Sequence, residues 1–129
     1  MAYTNEIQYV EMATAGNATD FGDLTESRGG PQGTSNKIRG IIAGGQSSKN
    51  VMDYITIATL GNATDFGDLS AGRNNCGTAS DGTYGVWAGG YGGGNSNVID
   101  YVTITTLSNT SDFGDLTEAK DAVTGVSGT

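Results

Sequence analysis

One five-residue string, Asp-Phe-Gly-Asp-Leu, occurs three times, at 20–24, 65–69 and 112–116, with starts 45 and 47 residues apart. The similarity spreads around each copy. Asn50–Arg73 and Asn97–Lys120 agree at 14 of 24 positions, and Tyr9, Tyr54 and Tyr101 keep one offset ahead of their Asp. A fixed period of this length marks a repeat architecture, in which each unit buries its apolar face only against its neighbours. The repeats divide the 129 residues into 5–49, 50–96 and a shorter 97–129, within a single repeat domain.

The periodicity excludes one catalytic reading. Asp-Phe-Gly is a magnesium-binding motif in protein kinases, but a catalytic motif has no reason to recur every 45 residues. Neither a Gly-rich phosphate loop nor a His-Arg-Asp loop accompanies it. The chain has no His at all, and no nucleophile motif stands out, so no enzyme activity is expected.

Within a unit, Val51 to Ala58 alternates with period two, as a strand packed on both faces does. One face carries Val51, Asp53, Ile55 and Ile57; the other carries Met52, Tyr54, Thr56 and Ala58. A turn, Leu60 to Thr64, leads into Asp65-Phe66-Gly67-Asp68-Leu69. Phe66 and Leu69 are expected to point inward while the Asp carboxylates cap turn amides. Cys76–Ser80 reads as a strand before an Asp81-Gly82 hairpin turn. Tyr84–Ala88 then ends at Gly89-Gly90, as Arg39–Ala43 ends at Gly44-Gly45. The fold class is therefore all-β, with about four short strands per unit, the content of a β-propeller blade.

The C-terminal unit breaks this spacing. Arg28 to Gly40 and Arg73 to Gly85 each span 12 residues, whereas Lys120 to Gly125, taken as the matching glycine, spans 5. On that reading the third unit lacks one strand and most of another. Propellers need at least four blades to close. Open strand edges invite pairing with another chain, so a homo-oligomer is the favoured expectation, either a closed ring or a filament, over a fragment or a small part of a larger assembly.

A Gly-Gly doublet closing an apolar strand, then a Tyr-bearing strand, a turn and a basic residue is similar to the kelch repeat. Phe21, Phe66 and Phe113 stand where kelch blades usually carry Trp. The string Asn-Val-Ile-Asp-Tyr-Val-Thr-Ile, followed by Asn-x-[Thr/Ser]-Asp-Phe-Gly-Asp-Leu, resembles degenerate kelch-like arrays in tail-fibre and other virion proteins of marine phages. The resemblance implies a non-catalytic structural or adhesive module, extracellular or on a virion, that binds surface glycans. The alternative is a self-assembling extracellular filament subunit.

Composition narrows the partners further. A net charge of −8 with only 6 basic residues, none clustered, argues against nucleic acid, which needs grouped Lys and Arg. No apolar run is long enough to cross a bilayer as a helix, and the first residues carry no signal-peptide pattern. The single Cys76 has no internal disulfide partner. No cofactor or metal is expected. The pairs Asp20/Asp23, Asp65/Asp68 and Asp112/Asp115 suit calcium in ligand type but lack its loop pattern, so turn capping is favoured.

Two kinds of surface site remain. Trp87 and Tyr91 flank a Gly doublet and could stack on a sugar ring. Trp87 aligns with Ile42 on a core strand, which favours burial for it and exposure for Tyr91. Asn17, Asn62 and Asn109 each open an N-x-[Ser/Thr] sequon at the same corner, readable as glycosylation acceptors or, more simply, as turn residues. Binding specificity is expected in the loops that vary between repeats: Gly29–Lys37, Gln46–Asn50, Asn74–Thr83 and Tyr91–Ser96.

Overall fold

In the computed structural model, which describes residues 2–128, the chain is all-β with antiparallel sheets. The strands are β1 (Glu6–Tyr9), β2 (Thr19–Asp23), β3 (Gln32–Ser35), β4 (Arg39–Gly45), β5 (Lys49–Thr56), β6 (Thr64–Asp68), β7 (Gly77–Ser80), β8 (Tyr84–Ala88), β9 (Ser96–Thr103) and β10 (Ser111–Lys120). They form an N-terminal hairpin β1–β2 and two four-stranded sheets, ordered β3-β4-β5-β6 and β7-β8-β9-β10. Every pairing joins sequence neighbours, as short turns rich in Gly, Asn, Asp and Ser dictate.

The phase of the sheets differs from the phase of the sequence repeat. The Phe-Gly-Asp string closes each sheet on its last strand, so β1–β2 corresponds to β5–β6 and to β9–β10. The two-stranded unit is therefore the first one, and residues 97–120 complete the last sheet rather than opening a truncated third. The segment after Lys120 also corrects the glycine alignment. Thr78 Oγ1 donates to the Gly33 carbonyl (2.8 Å), and Gly125 in turn lies against Thr78, its Cβ position 2.0 Å from the Thr78 oxygen. Arg28 to Gly33, Arg73 to Thr78 and Lys120 to Gly125 all span 5 residues. Gly125 is thus the counterpart of Gly33 and Thr78, not of Gly40 and Gly85. The segment lies beside β7 as β7 lies beside β3, with Val123 N–H bonded to the Asn75 carbonyl and Ser127 Oγ accepting from Ser80 N–H.

The sheets pack face to face, which explains why β5 buries residues of both faces. Met52 and Asp53, adjacent in sequence, are both fully buried. The core comprises Ile41, Ala43, Met52, Phe66, Leu69, Cys76, Trp87, Val102 and Ile104. Phe21 and Leu24 are buried in the first unit as Phe66 and Leu69 are in the second, as the sequence predicts. Each unit also stacks its Tyr edge-to-face on its Phe: Tyr9 on Phe21, Tyr54 on Phe66 and Tyr101 on Phe113. Such pairs contribute about 0.5–1.5 kcal/mol beyond area burial.

The expected hairpin at Asp81-Gly82 forms. Asp81 Oδ1 accepts from Thr83 N–H (2.8 Å) and Tyr84 N–H (2.7 Å), and Gly82 takes a φ of 90°. Asn36 does the same one unit earlier, accepting from Ile38 and Arg39 N–H groups. Four acceptor bonds in two turns come from two short polar side chains, the task these residue types perform in turns.

Candidate functional site

The strongest side-chain chemistry lies between sheets, at positions outside the candidate sites that the sequence suggests. Arg28, in the segment after β2, reaches into the next sheet and pairs with Asp53 on β5 at 2.7 Å, both side chains fully buried. Arg73, after β6, pairs with Asp100 on β9 at 2.9 Å, equally buried. Each carboxylate is held again from the same segment. Thr25 N–H and Oγ1–H donate to Asp53 (2.9 and 2.7 Å), and Ser70 N–H and Oγ–H donate to Asp100 (3.1 and 2.8 Å). Each guanidinium also reaches a carbonyl of the next sheet: Arg28 that of Ile42, Arg73 that of Trp87. Burial pulls the Arg28 pKa down against the opposing attraction of Asp53 and Glu26. A guanidinium stays charged at neutral pH regardless. These are structural joints: the carboxylates are enclosed, both oxygens of Asp53 and Oδ2 of Asp100 are committed to the neighbouring segment, and Asp100 Oδ1 alone has no partner among the described residues.

The signal for them was present as Thr/Ser-x-x-Arg after Asp-Phe-Gly-Asp-Leu, together with Asp-Tyr on the following strand. The capping role given to the repeated Asp pairs belongs mainly to Asp53 and Asp100. Of the pairs themselves, Asp112 accepts from the Gly114 N–H. Asp23 and Asp68 take part through their main chain instead. Asn62 Oδ1 accepts from Asp23 N–H, and Asn109 Oδ1 accepts from Asp68 N–H, both at 3.0 Å. The sequon asparagines Asn62 and Asn109 thus lock one sheet's turn onto the previous sheet's last strand. Both residues are exposed, and so is Asn17.

The candidate sugar-stacking residues separate. Trp87 is fully buried at the centre of the core, its indole N–H donating to the Gln32 carbonyl (3.1 Å) across the inter-sheet boundary. That placement corrects its assignment as a ligand residue, because neither ring face is open. Tyr91 is 45 % exposed and borders a cleft of about 380 Å³ together with Tyr3, Gln46, Ser47, Ser48 and Asn74. The cleft is polar and shallow, with two Tyr rings on its rim. Tyr3 O–H donates to Gln46 Oε1, which anchors that ring to the β4–β5 turn. Ser47 and Ser48 both hold left-handed backbone, with φ of 63° and 56°. Such conformations cost about 1–3 kcal/mol each in a residue with a side chain and concentrate at binding sites.

Strand direction places the variable loops at two opposite ends of the sheets. The turns around 36–38 and 81–83 lie at one end, together with the sequon turns. The turns 46–48 and 91–95 lie at the other, where the Tyr91 cleft is. The four variable segments therefore do not make one surface. Cys76 is buried, as its small neighbours suggest; burial pushes its thiol pKa up, leaving it unreactive.

A second, apolar hollow of about 670 Å³ lies between the N-terminal hairpin and the middle sheet, lined among others by Tyr9, Phe21, Ile55, Ile57 and Leu60. Its origin is visible from the next interface. There Val102 and Ile104, the counterparts of Ile55 and Ile57, are buried in one core cluster with Ile41 of β4, and Arg39 of β4 donates to the Ile104 carbonyl (2.9 Å). The hairpin has no strands in the β3 and β4 positions among the described residues. Compared with known proteins, the chain matches no protein-family model and no curated protein.

Proposed function

We infer that this chain is a non-catalytic adhesive module of an extracellular or virion assembly, built of kelch-like β-propeller blades and binding surface glycans. The observation that carries this reading is the Tyr91 cleft. Tyr rings supply an apolar face for a pyranose ring and a hydroxyl for its edge. Gln46, Ser47, Ser48 and Asn74 add polar partners around them. A shallow cleft of this kind binds a monosaccharide weakly, and repetition across several copies raises avidity without new contacts. Loops on a rigid β scaffold are where such specificity resides.

The test is a glycan array probed with the whole chain and with Tyr91→Ala. The reading expects a defined subset of glycans to be retained and at least tenfold weaker signal for the variant. Equal signals from both proteins, or no retained glycan, would remove the cleft as the binding site. A structural filament subunit is the second reading, favoured by the exposed apolar residues at both ends of the array, Met12 and Phe113.

A further inference from the structure

The joint between neighbouring sheets is built twice within the chain from the same parts. One side supplies the Phe-Gly-Asp strand and the Thr/Ser-x-x-Arg segment. The other supplies the Asn turn and the Asp-Tyr strand of the next sheet. Parts for a third joint are present on the two outer faces, and there they are exposed.

On the last sheet, Phe113 is 63 % exposed, whereas Phe21 and Phe66 are buried. A Cβ at Gly22 or Gly67 would lie 2.2 Å from the carbonyl oxygen of Gly61 or Ser108, while one at Gly114 would meet nothing within 4 Å. Thr117 and Lys120 hold the positions of Thr25/Arg28 and Ser70/Arg73 but reach no carboxylate of another sheet. Lys120 pairs only with Glu118 of its own strand (3.0 Å) among the described residues.

The N-terminal hairpin shows the complementary half. Met12 is 92 % exposed, while its counterpart Ile104 is fully buried. Gly16 and Asn17 stand exposed where Gly61-Asn62 and Ser108-Asn109 grip the preceding strand. Gln8 occupies the position of Asp53 and Asp100, also exposed, with Glu6 two residues before it.

We propose that a second copy of this chain docks its N-terminal hairpin on β10 of the first, repeating the internal joint head to tail. Asn17 Oδ1 accepts from the Asp115 N–H, as Asn62 and Asn109 do from Asp23 and Asp68. The Gln8 side-chain carbonyl accepts from Thr117 and Lys120, and Glu6 adds charge opposite the ammonium. The two surfaces differ, so the contact is heterologous and propagates unless its rotation closes a ring. Gln8 is a neutral acceptor where the internal joints have a carboxylate. A Lys ammonium on a neutral amide oxygen lacks the attraction between two full charges that each internal Arg–Asp pair has, so this joint is the reversible one. The proposal rests on the repeated joint and is independent of the glycan reading.

Sedimentation velocity over a wide concentration range tests it, on the wild-type chain, Lys120→Glu and Gln8→Asp. All the substituted side chains are exposed, so folding is not at stake. The expected result is concentration-dependent growth from 13.1 kDa. Lys120→Glu should weaken it at least tenfold. Gln8→Asp, which puts a carboxylate where the internal joints have one, should tighten it by about tenfold. A wild-type chain that stays monomeric at every concentration overturns the proposal. So does association that neither substitution changes, which would mean that other surfaces carry it.

Discussion

Asp100 accepts from Arg73 at 2.9 Å across a sheet boundary, and Asp53 accepts from Arg28 at 2.7 Å across the previous one. The repeat is therefore a repeat of joints as much as of strands. Each basic residue leaves its own unit and closes on the next, so no four-stranded sheet is complete in its polar pairing without a neighbour.

Breaking one such pair should be costly. Asp100→Ala leaves the Arg73 guanidinium buried without a counter-charge, with a loss of about 3–5 kcal/mol. Urea denaturation would show the midpoint falling. Replacing both partners with apolar residues of similar volume should recover most of that loss, since two charges no longer need desolvation. Equal losses for the single and double variants would contradict this account.

Glycines 67 and 114 share one backbone conformation, φ 144° and 143°, but not one environment. Alanine at either position incurs the same conformational strain. At Gly67 it also meets the Ser108 carbonyl, at 2.2 Å from the Cβ. Gly67→Ala should therefore destabilise by about 1–3 kcal/mol more than Gly114→Ala, the usual range for overpacking. Thermal or chemical unfolding of the two variants measures the difference, and equal stabilities would count against the joint.

Trp87 is the only Trp in the chain, so its fluorescence reports the core alone. Native emission should be blue-shifted and poorly quenched by acrylamide, and it should not respond to a bound sugar. Trp87→Ala should lose about 3–5 kcal/mol, as large aromatic truncations in a core do. The same experiment can follow Cys76, whose thiol should react with a disulfide reagent only once the chain unfolds.

Asp81 provides the pH prediction. Backbone hydrogen bonds from Tyr84 and Thr83 hold its carboxyl below the ordinary 3.8. A lowered folded pKa contributes stability above the unfolded value, and that contribution disappears as pH falls through the folded one. The melting temperature should therefore fall below about pH 3.8 partly through this group. Asp81→Asn keeps the acceptor oxygen, as Asn36 does in the preceding sheet, and should flatten this part of the acid limb. An unchanged acid limb would assign the loss to other carboxylates.

How much of this was legible in the sequence follows from the physics of each feature. Period-two alternation and aligned copies exposed the strands, the inward Phe66 and Leu69, the buried Trp87 and the Asp81-Gly82 hairpin, because these depend on near neighbours. The Arg–Asp joints join residues 25 and 27 positions apart on different sheets, a separation that no local pattern encodes. Sheet phase was hidden because a periodic string has no intrinsic starting point; hairpin hydrogen bonding sets it. Gly125 was misaligned because a glycine carries no side chain to tell one strand from another, and only its seat against Thr78 identifies it. The Tyr91 cleft was half legible. Tyr91 and the variable loop Gln46–Asn50 stand out in the sequence, but Tyr3 lies far from both, and no local pattern signals the left-handed backbone of Ser47 and Ser48.

The most direct measurement of the repeated joint is the native mass of two blocked copies, alone and mixed. One carries Gln8→Ala and Asn17→Ala on the hairpin face; the other carries Lys120→Glu and Thr117→Glu on β10. If the joint is used a third time between copies, each self-associates poorly, and the mixture stops at a pair with twice the 13.1 kDa chain mass. Mixed chains that stay single, or that grow beyond the pair, would contradict it.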